Sequence, residues 1–113
     1  MPQTIQAFLD MYVKRIEDIY GAHLRQVILY GSYARGDYRD DSDIDIMILL
    51  DIPDEEIKAY RHQLSDMTFD FNMEYDLDIK PIAKSEAHFY HWVKAYPFYS
   101  NVNSEGIRVY EAA

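Results

Sequence analysis

The apolar run that ends at Leu49-Leu50 begins with two aspartates, Asp43 and Asp45, one isoleucine apart. Ile44, Ile46 and Ile48 alternate through it, the period of two of a β-strand, so a strand is expected over residues 43–50. Residues two apart in a strand project to one face, which makes Asp43 and Asp45 neighbours pointing the same way. Two carboxylates that close do not both stay ionised in a poor solvent unless a cation joins them or one takes up a proton. Any fold or function for this chain has to account for that desolvation cost.

Five aspartates fall within residues 37–45, and two metal- or phosphate-binding loops offer themselves as explanations. Gly31 and Gly36 have the spacing of a P-loop, but Asp37 and Tyr38 stand where that loop needs Lys and a hydroxyl, and an aspartate there repels phosphate. Asp41, Asp43 and Asp45 resemble the start of an EF-hand. Ile46 replaces the glycine that turns such a loop, and Ile52 stands where its last glutamate belongs. Both loops are excluded. Asp37, Asp40 and Asp41 read as solvated loop residues, since loops favour aspartate.

The strand reading points to a hard cation. Mg²⁺ prefers oxygen ligands, keeps several waters and is commonly shared with substrate phosphates. A further carboxylate on a neighbouring strand completes a two-metal site. A third strand is expected over Tyr75 to Ala83, with Tyr75, Leu77 and Ile79 on one side and Asp76, Asp78 and Lys80 on the other. Asp78, deeper in the apolar run, is the preferred third ligand and Asp76 the alternative. Lys80 shares their face, placed to neutralise Asp78 or to meet a phosphate. Upstream, Gly31 lets the backbone turn sharply without a Cβ. Ser32 is expected to cap a short turn over Ser32–Arg35 whose N–H groups can meet an anion. Ser42 caps or braces the entry to the acidic strand. Arg35 either clamps a phosphate or pairs with a loop acid.

At 113 residues, 49% of them hydrophobic, the chain has room for one core, and a single domain is expected over 1–113. Apolar residues at three-and-four spacing predict a helix over residues 4–22, with Thr4 as its cap and Gly21 as its stop. A strand is expected over Gln26–Tyr30 and a second helix over Asp54–Asn72 with Ile57, Tyr60, Leu64, Met67 and Phe71 buried. Ser85 caps a helix carrying Phe89, Trp92 and Val93. After the break at Pro97 a short helix leads to Gly106 and the run Ile107–Tyr110. This is an α/β pattern, a small sheet covered by helices. His88 and His91 read as surface or partly buried histidines rather than ligands.

The net charge of −9 argues against stand-alone nucleic-acid binding, because such a surface repels phosphate backbones. No apolar run approaches a membrane span, and the N-terminal MPQTIQAFLDMYVKR lacks the order of a signal peptide. With no cysteine there is no disulfide framework, and a cytoplasmic location is the default expectation.

Gly31-Ser32-Tyr33-Ala34-Arg35-Gly36 followed by Ser42-Asp43-Ile44-Asp45 resembles the signature of the DNA polymerase beta-type nucleotidyltransferases: Gly-Ser, a spacer with a second Gly, then Asp-x-Asp in an apolar strand. The small size and the tail from Pro97 to Gly106 are similar to the stand-alone minimal nucleotidyltransferases of prokaryotes, the MntA-like antitoxin branch. The resemblance implies a mixed sheet flanked by helices, two Mg²⁺ ions, and transfer of a nucleoside monophosphate from ATP or another NTP with loss of pyrophosphate. It implies that Asp43 and Asp45 are metal ligands and catalytic, that Gly31 and Ser32 hold the β and γ phosphates, and that a third carboxylate, Asp78 or Asp76, helps activate the attacking hydroxyl. The acceptor it implies is a hydroxyl of a HEPN-type toxin. A contact-only antitoxin and a transferase acting on a small molecule of the aminoglycoside kind are the alternatives.

Overall fold

In the computed structural model, residues 3–113 are described; Met1 and Pro2, the start of the segment read for a leader and of the 1–113 domain span, lie outside them. Helix α1, Gln3–Tyr20, buries Leu9, Tyr12, Val13, Ile16 and Tyr20, the stripe its spacing predicts. Thr4 lies inside this helix, exposed, rather than capping it. Gly21 ends it at φ +57, where the chain tightens into a 3₁₀ turn over Gly21–His23.

Strand β1, Leu24–Tyr30, pairs antiparallel with β2, Ile44–Leu50, with Leu29 opposite Ile46 and Tyr30 opposite Asp45. Between them lies the single helical turn α2, Ser32–Arg35. Helix α3, Asp54–Ile57, a 3₁₀ turn over Lys58–Tyr60 and α4, Arg61–Tyr75, replace the one helix expected over 54–72. The expected stripe survives the break: Ile57, Leu64 and Phe71 are buried, with Tyr60 and Met67 packed beside them. Strand β3, Ile79–Ser85, runs parallel to β2. Helices α5, Glu86–Trp92, and α6, Pro97–Glu105, lead to β4, Ile107–Glu111, antiparallel to β1. The sheet order is β3-β2-β1-β4, so the fold is the expected α/β arrangement, a small mixed sheet flanked by helices.

The third strand begins later than its alternation suggested. Helix α4 continues to Tyr75, and Asp76 closes it in the left-handed conformation, φ 53 and ψ 51, its N–H donating to the Asn72 carbonyl. Leu77 N–H donates to the same carbonyl, 3.0 Å away. The Asn72 side chain then clips the start of β3, accepting from Ile79 N–H at 2.9 Å and donating to Ile79 O at 3.2 Å. Asp76 therefore belongs to a helix end and not to a strand.

The two faces of the sheet are filled differently. Ile44, Ile46, Ile48 and Leu50 pack with Val27 and Leu29 against α1 and α4. On the other face Ile28, Met47 and Leu49 meet Phe89, Tyr99 and Val102 of α5 and α6. Ser85 caps α5 as expected, its Oγ accepting from His88 N–H at 3.2 Å. No helix among the described residues is long and apolar enough to cross a membrane.

Candidate active site

The candidate residues gather at one end of the sheet, where β1 finishes and β2 and β3 begin. Gly31 carries the chain out of β1 at φ 77 and ψ −153, a conformation closed to residues with a side chain. A Cβ there would collide with Oδ2 of Asp45 and lie 3.3 Å from its Cγ. The glycine therefore serves both the turn and the close approach of the backbone to the carboxylate. It is also the N-cap of α2. Ser32, expected in that role, is the first helical residue and its side chain caps nothing. The turn closes through Ala34 and Arg35 N–H donating to Gly31 O, both at 3.1 Å.

Ser42 braces the loop that follows. Its Oγ accepts from Arg39 N–H at 2.7 Å and its own N–H donates to Arg39 O at 3.0 Å. That tie sets the entry to β2. Asp45 is half-buried there, on the face shared with Met47 and Leu49, while Asp43, expected as the first residue of the strand, is half-buried one position before it. Burial first, and the charge of Asp43 second, push the Asp45 carboxyl above its ordinary range; Lys80 and Arg35 oppose the shift.

The parallel register aligns Ile44 with Ile79, and Ile44 N–H donates to Asp78 O at 2.9 Å, which sets Asp78 beside Asp43. A hydrogen bond shared with Asp43 is the main reason that Asp78 too is pushed up. Asp78 itself is exposed, and so is Asp76, which stands at the end of α4 and does not join the cluster through a strand. Of the two alternatives for the third carboxylate, the geometry brings only Asp78 to the pair. Lys80 does not bridge to Asp78 as its shared face suggested. Aligned with Asp45 across the ladder, it extends Nζ to 3.5 Å from Asp43 Oδ2.

Arg35 is held by carboxylates: Nε lies 3.3 Å from Asp37 Oδ2 and Nη1 3.8 Å from Glu105 Oε2 of α6. Pairing with a loop acid, one of its two readings, is thus present through Asp37. The Glu105 contact, and the place of Tyr30 opposite Asp45, have no counterpart in the sequence reading. The Tyr30 hydroxyl is pushed up to about 12, by burial first and by Asp45 second. Tyr30 meets Asp45 only through the antiparallel register of the two strands, and nothing local marks Glu105. His88 is half-buried and His91 exposed.

The side chains of Asp43, Asp45 and Asp78 offer only oxygen donors, and among the described residues the Lys80 ammonium pairs with one of them, Asp43. Such a set suits a hard divalent cation. No closed cluster of three or more ligating side chains is present among the described residues, so the arrangement is a carboxylate pair with a neighbour rather than a finished cage. A cavity of about 440 Å³ lined by Tyr20, Leu64, Thr68, Pro81 and Lys84 lies between α4 and β3 and includes none of the three aspartates.

Residues 9–107 match the model of the family described as nucleotidyltransferase domain. Two proteins of Methanocaldococcus jannaschii are similar in sequence. "Putative protein adenylyltransferase MJ0604" is 32% identical over 88% of this chain and 91% of its own length. "Putative protein adenylyltransferase MJ0141" is 38% identical over 63% of this chain and 70% of its own. In fold, the chain resembles a toxin-antitoxin crystallised with AMP-PNP, at a TM-score of 0.61 and 20% identity over 91% of this chain and 73% of the other. A mutant of the toxin-antitoxin MntA-HpeT is similar at a TM-score of 0.60 and 18% identity, over the same shares of the two chains. With a glycine turn pressed on Asp45 and Asp43 set beside Asp78, this chain belongs to the nucleotidyltransferase domain family and is an enzyme of that class.

Proposed function

We propose that the chain, a single nucleotidyltransferase domain over 1–113, transfers AMP from ATP to a hydroxyl of a partner protein. The observation that carries this reading is the contact of Gly31 with the Asp45 carboxylate, which joins the phosphate-type turn to the acidic strand in one site. The names of the sequence relatives and of the structural neighbours support it. In this reading Asp43, Asp45 and Asp78 hold Mg²⁺, two ions when the site is full, which supply charge neutralisation at the phosphates and at the attacking oxygen. Gly31 and Ser32 hold the β and γ phosphates by backbone N–H groups, and Ser42 keeps the strand entry fixed. The acceptor oxygen forms a bond to the α-phosphorus, the bond from that phosphorus to the bridging oxygen breaks, and pyrophosphate leaves. The Asp78 carboxylate takes the hydroxyl proton. Arg35 is free to exchange its Asp37 and Glu105 contacts for a phosphate.

The partner proposed is a HEPN-type toxin in the cytoplasm, with this chain as its antitoxin. Incubation with labelled ATP, Mg²⁺ and the toxin encoded beside it is expected to label the toxin. Absence of label from ATP and from the other three nucleotides, beside an active control, sinks the reading. The exposure of Asp78 and the unfinished cage favour one rival, neutralisation by contact alone. Asp43→Asn combined with Asp45→Asn separates the two: a folded double variant that still neutralises the toxin in cells acts by contact.

A further inference from the structure

Helix α6 turns one face toward the acidic end of the sheet. Phe98, Asn101 and Glu105 lie three and seven residues along it, on a common side, while Tyr99 and Val102 are buried beneath. Both ends of that side touch the site. The Phe98 ring meets Tyr30 edge to face with centroids 5.6 Å apart, and Glu105 reaches Arg35 of the glycine turn. Tyr30 in turn stands directly opposite Asp45, and residues opposite each other in an antiparallel pair share a face with Cβ atoms roughly 5 Å apart. A single aromatic ring thus separates the carboxylate from Phe98. Even so packed, Phe98 is 45% exposed, and Asn101 beside it is exposed as well. From Phe98 to Glu105 the helix advances about 10 Å. A nucleotide whose phosphates lie at the Gly31–Ser32 turn has its base within reach of that face.

We infer that Phe98 is the platform on which the nucleobase of the donor nucleotide stacks, with Asn101 offering its carboxamide to the base edge. Stacking is tolerant of base identity, because every base has a π-face. A carboxamide paired with the N6 and N7 atoms of adenine adds the discrimination that favours ATP. The inference rests on the proposed transferase reading, since it needs the phosphates at the glycine turn.

The test compares two probes, ATP and inorganic tripolyphosphate, each titrated with Mg²⁺ into the folded protein by calorimetry. The wild type is expected to bind ATP more tightly than tripolyphosphate. Phe98→Ala weakens ATP about 5- to 150-fold, the range of one lost base stack, and leaves tripolyphosphate unchanged. Phe98→Leu keeps apolar cover over Tyr30 without a ring and behaves like the alanine variant, whereas Phe98→Trp restores binding. Asn101→Ala narrows the preference for ATP over GTP. Equal losses for both probes, or an unchanged ATP affinity in Phe98→Ala, overturn the platform; so does a variant that binds ATP normally but fails to modify the partner. Tripolyphosphate binding by wild type with ATP no tighter overturns the platform alone. Binding of neither probe overturns the transferase reading with it.

Discussion

Strand β2 shows two different chemistries on its two sides. Ile44, Ile46, Ile48 and Leu50 face a core closed by the long helices α1 and α4, where Tyr12 and Phe71 are fully buried and meet with ring centroids 5.2 Å apart. Met47 and Leu49 face the short helices α5 and α6, which cover only the inner part of the strand; Asp45, and Asp43 just before the strand, lie beyond that cover. Where that cover ends, the aspartates begin. One sequence of seven strand residues therefore serves a sealed face that stabilises the fold and an open corner that carries the chemistry. The cost of the acidic pair is therefore borne locally, by half-exposure and by the Lys80 ammonium, rather than by the core.

Asp45→Asn should have the largest effect on the open corner and the least on the sealed face. Transfer activity should fall on the order of 10³-fold or more, the loss of several kcal/mol of transition-state stabilisation. The thermal midpoint should stay level or rise. The sign follows from linkage: the folded value of Asp45 lies above its unfolded value, so the native state binds the proton more readily. Below the unfolded value the group is protonated in both states and costs nothing. As pH rises through the folded value the penalty comes in full. Without divalent cations, denaturation of wild type against Asp45→Asn should therefore show the variant gaining on the wild type from acid to neutral pH. A constant difference across that window contradicts the assignment.

On the sealed face Phe71→Ala should do the reverse, losing about 3–5 kcal/mol of stability by urea titration. Whatever fraction remains folded should keep its nucleotide affinity. Gly31→Ala sits between the regions. The strained backbone costs about 1–3 kcal/mol, and the new methyl displaces the Asp45 carboxylate, so stability and activity should fall together. The smallest effect is that of Ser85→Ala, which removes the α5 cap for about 1 kcal/mol and should leave activity unchanged in the folded protein.

Much of this was legible in the chain. The strand of Asp43 and Asp45 could be read because a period of two is local and needs no knowledge of the fold. The α1 stripe and the Ser85 cap were legible for the same reason. Asp76 was not, because a left-handed helix end is usually marked by glycine or asparagine, and the alternation Asp76, Asp78, Lys80 imitated a strand. Only the Asn72 clip on Ile79, a contact between elements, reveals where β3 starts. The pairing of Lys80 with Asp43 likewise depends on the parallel register, which no single strand encodes. Phe98 stands in the tail from Pro97 to Gly106 that carries part of the family resemblance, and its contact with Tyr30 depends on where α6 packs, which the tail alone does not encode.

The sheet's two rims carry a further consequence. Strand β3 forms one rim, and Pro81, its third residue, has no N–H to offer, between the charged Lys80 and Lys84. A visiting chain cannot easily extend the sheet there by adding a strand of its own. Recognition of any protein acceptor on that flank must rest on side chains, contacts that form and release as units, which suits an enzyme that has to let its modified product go.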